Sequence, residues 1–463
     1  MTALDCAKIA FLLVLVATLL RLLRLYQERG VPRPSPELVR KLFHISGGVL
    51  GLSLPWLFVS LTPVLVLSAV MIGTFLAMRF VKSVRGGVGQ VLLGVNRSSV
   101  GEFCYMSSVC LLFWLSAGDK LLYSVPLLVL ALADAFAALV GEQYGKLQLR
   151  MAGAPKTYEG SFTFMLTAFF CVHVPVLLSA QTGRLESLLV GVGVGAMVMM
   201  AEVAAWWGLD NLIVPIWSYM LLKSMVHMSA VELTSGIVVL VALTLFIRLW
   251  RNKTILGDDA LFGATVWSYV VWSAGGWRWV LPPAMQLAVY ALLTARVPMD
   301  RPQIHRFPIV LANIAGSMLW LLIFRQTDDP ALLLPFAACF GANTAIIALV
   351  REKTASPAVP ARRAISSSAA KGALVLIPTA LVFGGLALDA LLQLAFGFVA
   401  VYAATVLFYA TQPGLSDFPN DAGRWFRQVT IVTATSTLAL GLYYGVLRTV
   451  SMPTLRDLLE IYQ

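Results

Sequence analysis

Charged residues are scarce in this sequence: Asp, Glu, Lys and Arg together make up 12% of its 463 residues. Soluble domains average about 25% charged and 45–50% apolar residues, whereas 59% of this chain is hydrophobic. This balance excludes an ordinary soluble protein and predicts a polytopic membrane protein. Because backbone polar groups in lipid must pair internally, only helices or closed barrels span a bilayer. The apolar runs are continuous rather than alternating, so we predict an all-α transmembrane helical bundle.

Cysteine is also rare, and its spacing excludes two classes of site. The sequence holds five cysteines, none of them in a CxxC pair: Cys6, Cys104, Cys110, Cys171 and Cys339. This scatter gives neither a zinc site nor a disulfide framework. We therefore expect the cysteines to be buried packing residues.

The sequence also has no Walker A or protein-kinase motif that would indicate ATP.

Basic residues exceed acidic ones by 34 to 23, which gives a net charge of +11. They gather in alternate short loops, at residues 21–41, 79–97, 146–156, 248–253, 296–306, 351–371 and 424–427. Loops of this kind stay on the cytoplasmic side of a membrane. The charge therefore indicates topology rather than nucleic-acid binding, with the N-terminus outside the cytoplasm.

About sixteen apolar runs (roughly 14–16) are candidate spans, since a bilayer core needs roughly 20 apolar residues per helix. They are residues 7–25, 42–58, 61–80, 100–117, 121–141, 161–180, 185–205, 211–226, 230–249, 258–275, 278–295, 307–324, 330–350, 372–388, 389–410 and 428–447. We expect the first to be a retained anchor rather than a cleaved signal peptide, and the polar segment 352–371 to be a mobile loop. The predicted domains are 1–37, an anchor helix with a basic linker; 38–253, rich in polar motifs; and 254–463, a second transmembrane domain.

Asp134 is an acid within the apolar stretch "LLVLALADAFAALVGEQYGK". It precedes Gly141 by seven residues, or roughly 10 Å along a helix. Asp134, Ala138, Gly141 and Gly145 share one helix face. Acids within spans are costly and usually functional, although small residues alone also serve helix packing.

The stretch "PKTYEGS", residues 155–161, is a dense polar cluster between two apolar runs. Thr157 can cap a helix that starts near Ser161, whose free N–H groups and neighbouring Lys156 would favour a phosphate. Glu159 would repel that phosphate unless a cation lies between them, and Mg²⁺ typically uses one or two carboxylates plus phosphates. Asp134 and Glu159 are our candidate Mg²⁺ ligands, against the alternative of an ordinary basic loop with a helix cap.

Three further polar groups are expected at the same membrane face. They are Arg40, Lys41 and His44 in "RKLFHISGG"; Arg97 and Glu102 in "NRSSVGEF"; and Glu202, Asp210 and Asn211 in "AEVAAWWGLDNLIVP". Glu102 and Glu202 are additional metal-ligand candidates. Snorkelling basic residues and helix caps explain each group alone equally well. Together the groups predict a basic, glycine-lined site suited to phosphoryl transfer.

These motifs resemble the CTP-dependent lipid-alcohol kinases, a family that includes phytol kinase, dolichol kinase and a fungal diacylglycerol kinase. The matching elements are "RKLFH", "RSSVGE", "DAFAALVGEQYGK", "KTYEGS" and "EVAAWWGLDNLIVP", in the family's order across roughly residues 38–225. The resemblance implies a kinase that uses CTP and Mg²⁺ to phosphorylate a phytol-, polyprenol- or dolichol-type alcohol. By the same resemblance, Asp134, Lys156 and Glu159 form the core of the site. The nucleotide-binding candidates are Arg40, Lys41, His44, Arg97, Gly141, Gly145, Lys146, Thr157, Gly160, Ser161, Asp210 and Asn211.

The second domain distantly resembles the membrane family that includes phytyl-phosphate kinase, through "GDDALFGATVWSYVVWSAGG" and "RFPIVLAN". It departs where that family has an acid, because Asn343 stands there in "FGANTAIIALV". This domain is therefore expected to be a degenerate relative. For the whole chain, the alternatives are a cytidylyltransferase-like enzyme, a diacylglycerol kinase or a transporter. A transporter would hold its substrate near the membrane midplane, whereas these polar clusters lie near one edge.

Overall fold

The structure is a computed structural model that describes residues 1–80, 100–151, 155–179, 182–295, 304–384 and 388–450. Every extended regular element in these ranges is a helix, and the β-type pairing is limited to isolated bridges at Gln148–Thr157 and Leu256–His305. The predicted all-α class is therefore confirmed.

The first part of the chain contains eleven described α-helices. They are Ala3–Arg29 (α1), Pro36–Leu52 (α2), Leu54–Leu57 (α3), Leu61–Phe80 (α4), Gly101–Ser116 (α5), Lys120–Leu128 (α6), Asp134–Tyr144 (α7), Tyr158–Ser179 (α8), Arg184–Ala204 (α9), Asp210–Met225 (α10) and Ala230–Leu249 (α11). A π-helical turn, Val129–Ala133, joins α6 to α7 so that the two form one continuous rod.

The described remainder contains seven α-helices. They are Asp258–Gly275 (α12), Trp277–Val289 (α13), Phe307–Thr327 (α14), Leu333–Ala355 (α15), Ala361–Gly384 (α16), Leu388–Thr411 (α17) and Ala422–Val450 (α18). A π-helical turn, Tyr290–Thr294, extends α13, and short 3₁₀ turns occur at Arg251–Lys253, Pro330–Leu332 and Leu415–Asp417.

Each of the sixteen predicted spans falls on a helix of the structure. Eleven helices in the described ranges are long and apolar enough to cross a membrane. The other five predicted spans fall on shorter or less apolar helices, namely α2, α5, α10, α12 and α13. A polytopic helical bundle is the architecture that these lengths support.

The chain forms two compact units, Met1–Val241 and Ala242–Gln463. The division falls inside α11, whereas the sequence places it near residue 253. The three predicted domain ranges stay predictions.

The core of the first unit depends on small residues in α9. A Cβ added to Gly195 would lie 3.0 Å from the carbonyl oxygen of Met165 and 3.2 Å from the backbone nitrogen of Phe169 in α8. Glycine therefore lets the two helix backbones approach closely, as is common between membrane helices. This contact holds α8, whose first turn carries Glu159, against α9, which carries Glu202 near its end.

The second unit is built around α15, whose apolar window is 94% buried. A Cβ on Gly372 of α16 would lie 2.4 Å from the carbonyl oxygen of Gly341 in α15. The close crossing of these helices again requires glycine, in this case on both sides. The described helices of this unit thus pack around one central helix that is almost entirely buried.

Two predictions need correction. The expected mobile loop at 352–371 contains only a short turn, because α15 continues to Ala355 and α16 begins at Ala361. The segment after Pro360 is rich in alanine and arginine, which are strong helix formers. Three cysteines are buried as expected and Cys110 is partly buried, but Cys6 is exposed on α1.

Candidate functional site

Asp134 carries a largely buried carboxylate at the start of α7, and its partner comes from α2. The Nζ of Lys41, itself 3% exposed, donates to Oδ2 of Asp134 at 2.6 Å and approaches the Asp134 carbonyl oxygen at 3.3 Å. The Nε2 of His44 lies 3.5 Å from the same Oδ2. Two candidate nucleotide-binding residues therefore converge on the predicted catalytic acid.

The π-helical turn before Asp134 explains how the acid and His44 come together. His44 Nε2 lies 3.1 Å from the carbonyl oxygen of Leu130, inside that turn. Since a carbonyl only accepts hydrogen bonds, Nε2 carries the proton. π-Turns inside helices frequently mark functional sites. A Cβ on Gly48 would lie 2.3 Å from Ala131 Cβ, so "HISGG" brings α2 against the turn through a glycine.

A second ion pair joins the predicted phosphate-binding residue to the end of α9. The Nζ of Lys156 donates to Oε1 of Glu202 at 2.7 Å and to the Glu202 carbonyl oxygen at 2.5 Å. The lysine side chain is 27% exposed and the glutamate 13% exposed. The ammonium group is therefore anchored at the helix end while remaining accessible to a ligand.

The two ion pairs belong to one electrostatic group. The charge of Glu202 interacts with those of Asp134 and Asp210, and the charge of Arg40 interacts with those of the same two aspartates. Arg40 is also paired with Glu37, Nη2 to Oε1, at 2.5 Å. Cations and carboxylates from α2, α7, α9 and α10 thus interact electrostatically, which is a property that a site for a metal–nucleotide complex needs.

The sequence predicts Glu159 beside a phosphate and a cation, whereas in the structure its carboxylate is bound by backbone amides. Its carboxylate accepts hydrogen bonds from the backbone amides of Lys146, at 3.1 Å, and Leu147, at 3.1 and 3.3 Å. The amide of Tyr158 in turn donates to the Leu147 carbonyl oxygen at 2.9 Å. Glu159 therefore fastens the connection between α7 and α8, and joint metal binding by Asp134 and Glu159 stays a prediction.

Thr157 is the N-cap of α8, and three glycines, Gly141, Gly145 and Gly160, lie close to its side chain. Its Oγ1 accepts from the Gly160 amide at 3.1 Å, which bears out the predicted cap. A Cβ on Gly145 would lie 2.6 Å from Thr157 Cγ2, and one on Gly141 would lie 3.2 Å from Oγ1. These glycines bring α7 against the start of α8, with Ser161 buried beside them.

The remaining predicted residues lie around the start of α10. Asp210 begins that helix, and Asn211 Nδ2 donates to the Gly101 carbonyl oxygen at 3.1 Å. Glu102 lies in the first turn of α5, next to this contact. Arg97 lies outside the described residues. Lys146 contributes its backbone amide to Glu159 and has an exposed side chain.

Several partners were not predicted from the sequence. Lys41 and Glu202 were site candidates, but their pairing with Asp134 and Lys156 joins residues 93 and 46 positions apart. Glu37 could have been found, because an acid three residues before Arg40 faces it on a helix. The contact of His44 with the Leu130 carbonyl oxygen could not have been predicted, because a backbone acceptor does not depend on the identity of the side chain.

The carboxylates of the candidate site fit a magnesium ion whose other ligands are mainly the phosphates of a nucleotide. Among the described residues, no group of three His, Cys, Asp or Glu side chains is placed to hold a metal alone. Mg²⁺ needs only one or two carboxylates when substrate phosphates supply the other ligands. Asp134 and Glu202, whose charges interact, are two carboxylates that could hold such an ion.

Comparison with known proteins gives one informative similarity. A phytol kinase from Synechocystis sp. is 34% identical over 185 residues, which are 39% of this chain and 76% of that protein. No family model and no solved structure matches the chain.

Proposed function

Because the chain belongs to the family of phytol kinase, we propose that it is a membrane kinase that transfers the γ-phosphate of CTP to an isoprenoid or related lipid alcohol. A kinase acting on a lipid alcohol is the coarser conclusion, which the relative and the membrane-type helices both support. CTP as the donor and phytol, polyprenol or dolichol as the acceptor are the finer parts of the proposal. CTP rests on the resemblance of the motifs at residues 38–225.

The observation that carries the proposal is the pair of neighbouring ion pairs, Asp134–Lys41 and Lys156–Glu202. Each joins a carboxylate that can serve a metal or a proton to a cation that can serve a phosphate. In the bilayer interior such charges are costly, so four of them in two ion pairs indicate chemistry rather than packing.

In the proposed reaction, the oxygen of the alcohol forms a bond to the γ-phosphorus while the bond between that phosphorus and the β–γ bridging oxygen breaks. CDP leaves, and the proton of the alcohol goes to a carboxylate or to water. Asp134 is either the acceptor of that proton or a ligand of Mg²⁺, and both roles remain open. When bound, Mg²⁺ would neutralise phosphate charge.

The cations have a separate task. Lys156, Lys41 and Arg40 would hold the phosphate oxygens and position the γ-phosphoryl group for in-line attack, the main protein contribution to this reaction. Each cation now contacts a carboxylate. Bound nucleotide would compete with that carboxylate for the cation, with Mg²⁺ relieving the repulsion between phosphate and acid.

Labelled CTP tests the proposal against the cytidylyltransferase alternative. The purified full chain would be incubated with Mg²⁺, phytol, farnesol, a dolichol-type alcohol or diacylglycerol, and CTP labelled at the α or γ position. We expect γ-label in a lipid monophosphate and α-label only in CDP. Transfer of α-label to lipid would contradict the kinase assignment, and ATP used in place of CTP checks the donor.

A further inference from the structure

The second unit contains a partly open, mainly apolar cavity of about 160 Å³. Its walls come from α11 to α15, α18 and the connections between them, and most lining side chains are aliphatic or aromatic, among them Leu243, Phe246, Leu261, Ile314 and Phe340. A dry apolar cavity of about 150 Å³ is known to hold a benzene-sized molecule. This cavity therefore has room for a short segment of an apolar chain.

The same cavity is lined by Arg424, a buried cation. Its side chain is 4% exposed, and its Nε has no hydrogen-bond partner. Within the described ranges, no carboxylate forms an ion pair with its guanidinium group; the exposed Asp421 instead accepts from the Arg424 backbone amide at 2.9 Å. The guanidinium lies over the ring of Trp425, 3.5 Å from its centroid. A buried cation without a paired anion is strongly unfavourable, so this position favours an anionic ligand.

Other hydrogen-bonding groups at the cavity also lack partners. Trp267 Nε1, Gln286 Nε2 and His305 Nδ1 are buried without a hydrogen bond, and all three residues line the cavity. Burial and the neighbouring charge of Arg424 lower the pKa of His305 to about 4, so the ring is neutral at pH 7. Orphaned buried groups of this kind usually have a water, ion or ligand partner.

A second arginine adds positive charge to the lining. Arg351 is 7% exposed and donates to the Tyr290 hydroxyl at 2.9 Å and to the Ala295 carbonyl oxygen at 3.0 Å. None of the residues that line the cavity is an aspartate or glutamate. The lining thus holds two buried guanidinium groups, those of Arg351 and Arg424, and no acid among the described residues that form it.

The acids and amides next to the cavity do not offset this charge. Asp258 is held by Arg251 in a bidentate pair of 2.6 and 2.8 Å, and Asp259 accepts from the Phe307 amide at 3.1 Å. Asn343 donates to the Asn313 carbonyl oxygen at 2.7 Å. This amide network carries no charge, and neither aspartate forms an ion pair with Arg424 in the part of the chain that the structure describes.

We propose that this cavity binds a lipid phosphate, with the phosphate on Arg424 and Arg351 and the first carbons of its chain against the apolar wall. A phosphate offers more acceptor oxygens than a carboxylate, and arginine matches its geometry with paired donors. The orphaned Trp267 and Gln286 groups supply further donors. All residues of this site belong to Ala242–Gln463, and none of them is among the residues proposed for phosphoryl transfer.

Binding to the purified full chain in neutral-lipid nanodiscs tests this site. The probes are farnesyl monophosphate, farnesol, inorganic phosphate and diacyl phosphatidic acid, measured by native mass spectrometry and by tryptophan fluorescence. Farnesyl monophosphate should bind at least tenfold more tightly than farnesol or inorganic phosphate. Phosphatidic acid binding as tightly would identify a bilayer phospholipid as the source of the phosphate. Equal binding of farnesol and its phosphate would overturn the proposal.

Substitutions separate a ligand-binding arginine from a structural one. Arg424→Gln should remove the preference for phosphate without lowering the melting temperature of the ligand-free protein, since its Nε has no hydrogen-bond partner and the substitution removes a buried charge. Arg427→Gln is the matched control, because Arg427 lies three residues further along α18 and donates to Gln412. It should leave the affinities for farnesyl monophosphate and for farnesol unchanged. Ala284→Phe, which fills the cavity while keeping Arg424, should also weaken binding. Unchanged phosphate affinity in Arg424→Gln, or a lowered ligand-free melting temperature with unchanged affinity, would contradict the site.

Discussion

At the scale of single residues, the first unit holds its buried charges in pairs drawn from distant parts of the sequence. Lys41 reaches Asp134 across 93 positions, and Lys156 reaches Glu202 across 46. Breaking a buried pair leaves an uncompensated charge, which is strongly destabilising. A substitution in either pair therefore has two effects, one on folding and one on ligand binding, and an experiment must separate them.

Lys156→Met should raise the KM for the nucleotide at least tenfold, because a phosphate loses its cation; tenfold corresponds to about 1.4 kcal/mol. It should also lower the melting temperature, since Glu202 is left buried without a partner. Lys156→Met/Glu202→Gln should recover the melting temperature but not the KM. Lys223→Met, an exposed lysine on α10, is the matched control and should leave both unchanged. Recovery of KM in the double variant would indicate that Lys156 has only a structural role.

The sequence predicted the members of the candidate site better than their pairing. Asp134 and the "KTYEGS" cluster stand out because polar residues in long apolar runs are rare. Which cation meets which acid depends on helix packing, and helix packing here depends on glycines at 48, 141, 145 and 160 whose contacts no single-sequence pattern reveals. Glu159 shows the same limit, since its acceptance of two loop amides depends on the path of the α7–α8 connection.

At the scale of elements, the approach of α7 to α8 positions both polar motifs. A Cβ on Gly160 would lie 2.9 Å from the Ala137 carbonyl oxygen and 3.3 Å from Gly141 Cα. The neighbouring atoms are backbone and cannot rotate away. An added methyl group must therefore separate the two helices and shift Lys156 relative to Asp134.

Gly160→Ala should lower kcat/KM by about a hundredfold, because misplacement by roughly 1 Å can cost that much. Gly73→Ala in α4 is the control: a Cβ there meets nothing within 4 Å, so activity should be unchanged. Circular dichroism should show that both variants keep their helix content. Full activity in Gly160→Ala would mean that this crossing does not position the site.

At the scale of the whole molecule, hydropathy was sufficient to locate the helices. Every predicted span falls on one, because a lipid-facing backbone has to satisfy its hydrogen bonds within each segment. The prediction of a mobile loop at 352–371 was wrong because it relied on composition rather than on hydropathy. Its proline, serine and arginine content resembles a loop, but Ala361–Gly384 forms a helix whose buried face includes Ala364 and Ser368.

Topology is a separate prediction of the basic loops. In a cysteine-free background, Lys253→Cys and Ser356→Cys should react with a membrane-impermeant maleimide only after the membrane is permeabilised. His227→Cys and Trp277→Cys, on the opposite predicted side, should react in intact cells. All four positions are exposed, so burial does not account for a difference. The reverse pattern would place the ion-pair site on the outer face.

The most direct test of the central claim is lipid phosphate formation by the purified full chain with and without Asp134. With CTP, Mg²⁺ and phytol or farnesol, mass spectrometry should detect the lipid monophosphate. Asp134→Asn should slow its formation by about 10²–10⁴-fold, the usual contribution of a positioned acid or base. Asp119→Asn, which changes an exposed N-cap on the same rod to an equally good one, should leave the rate unchanged. A full rate in Asp134→Asn, or no lipid phosphate from any alcohol with the unaltered protein, would contradict the account.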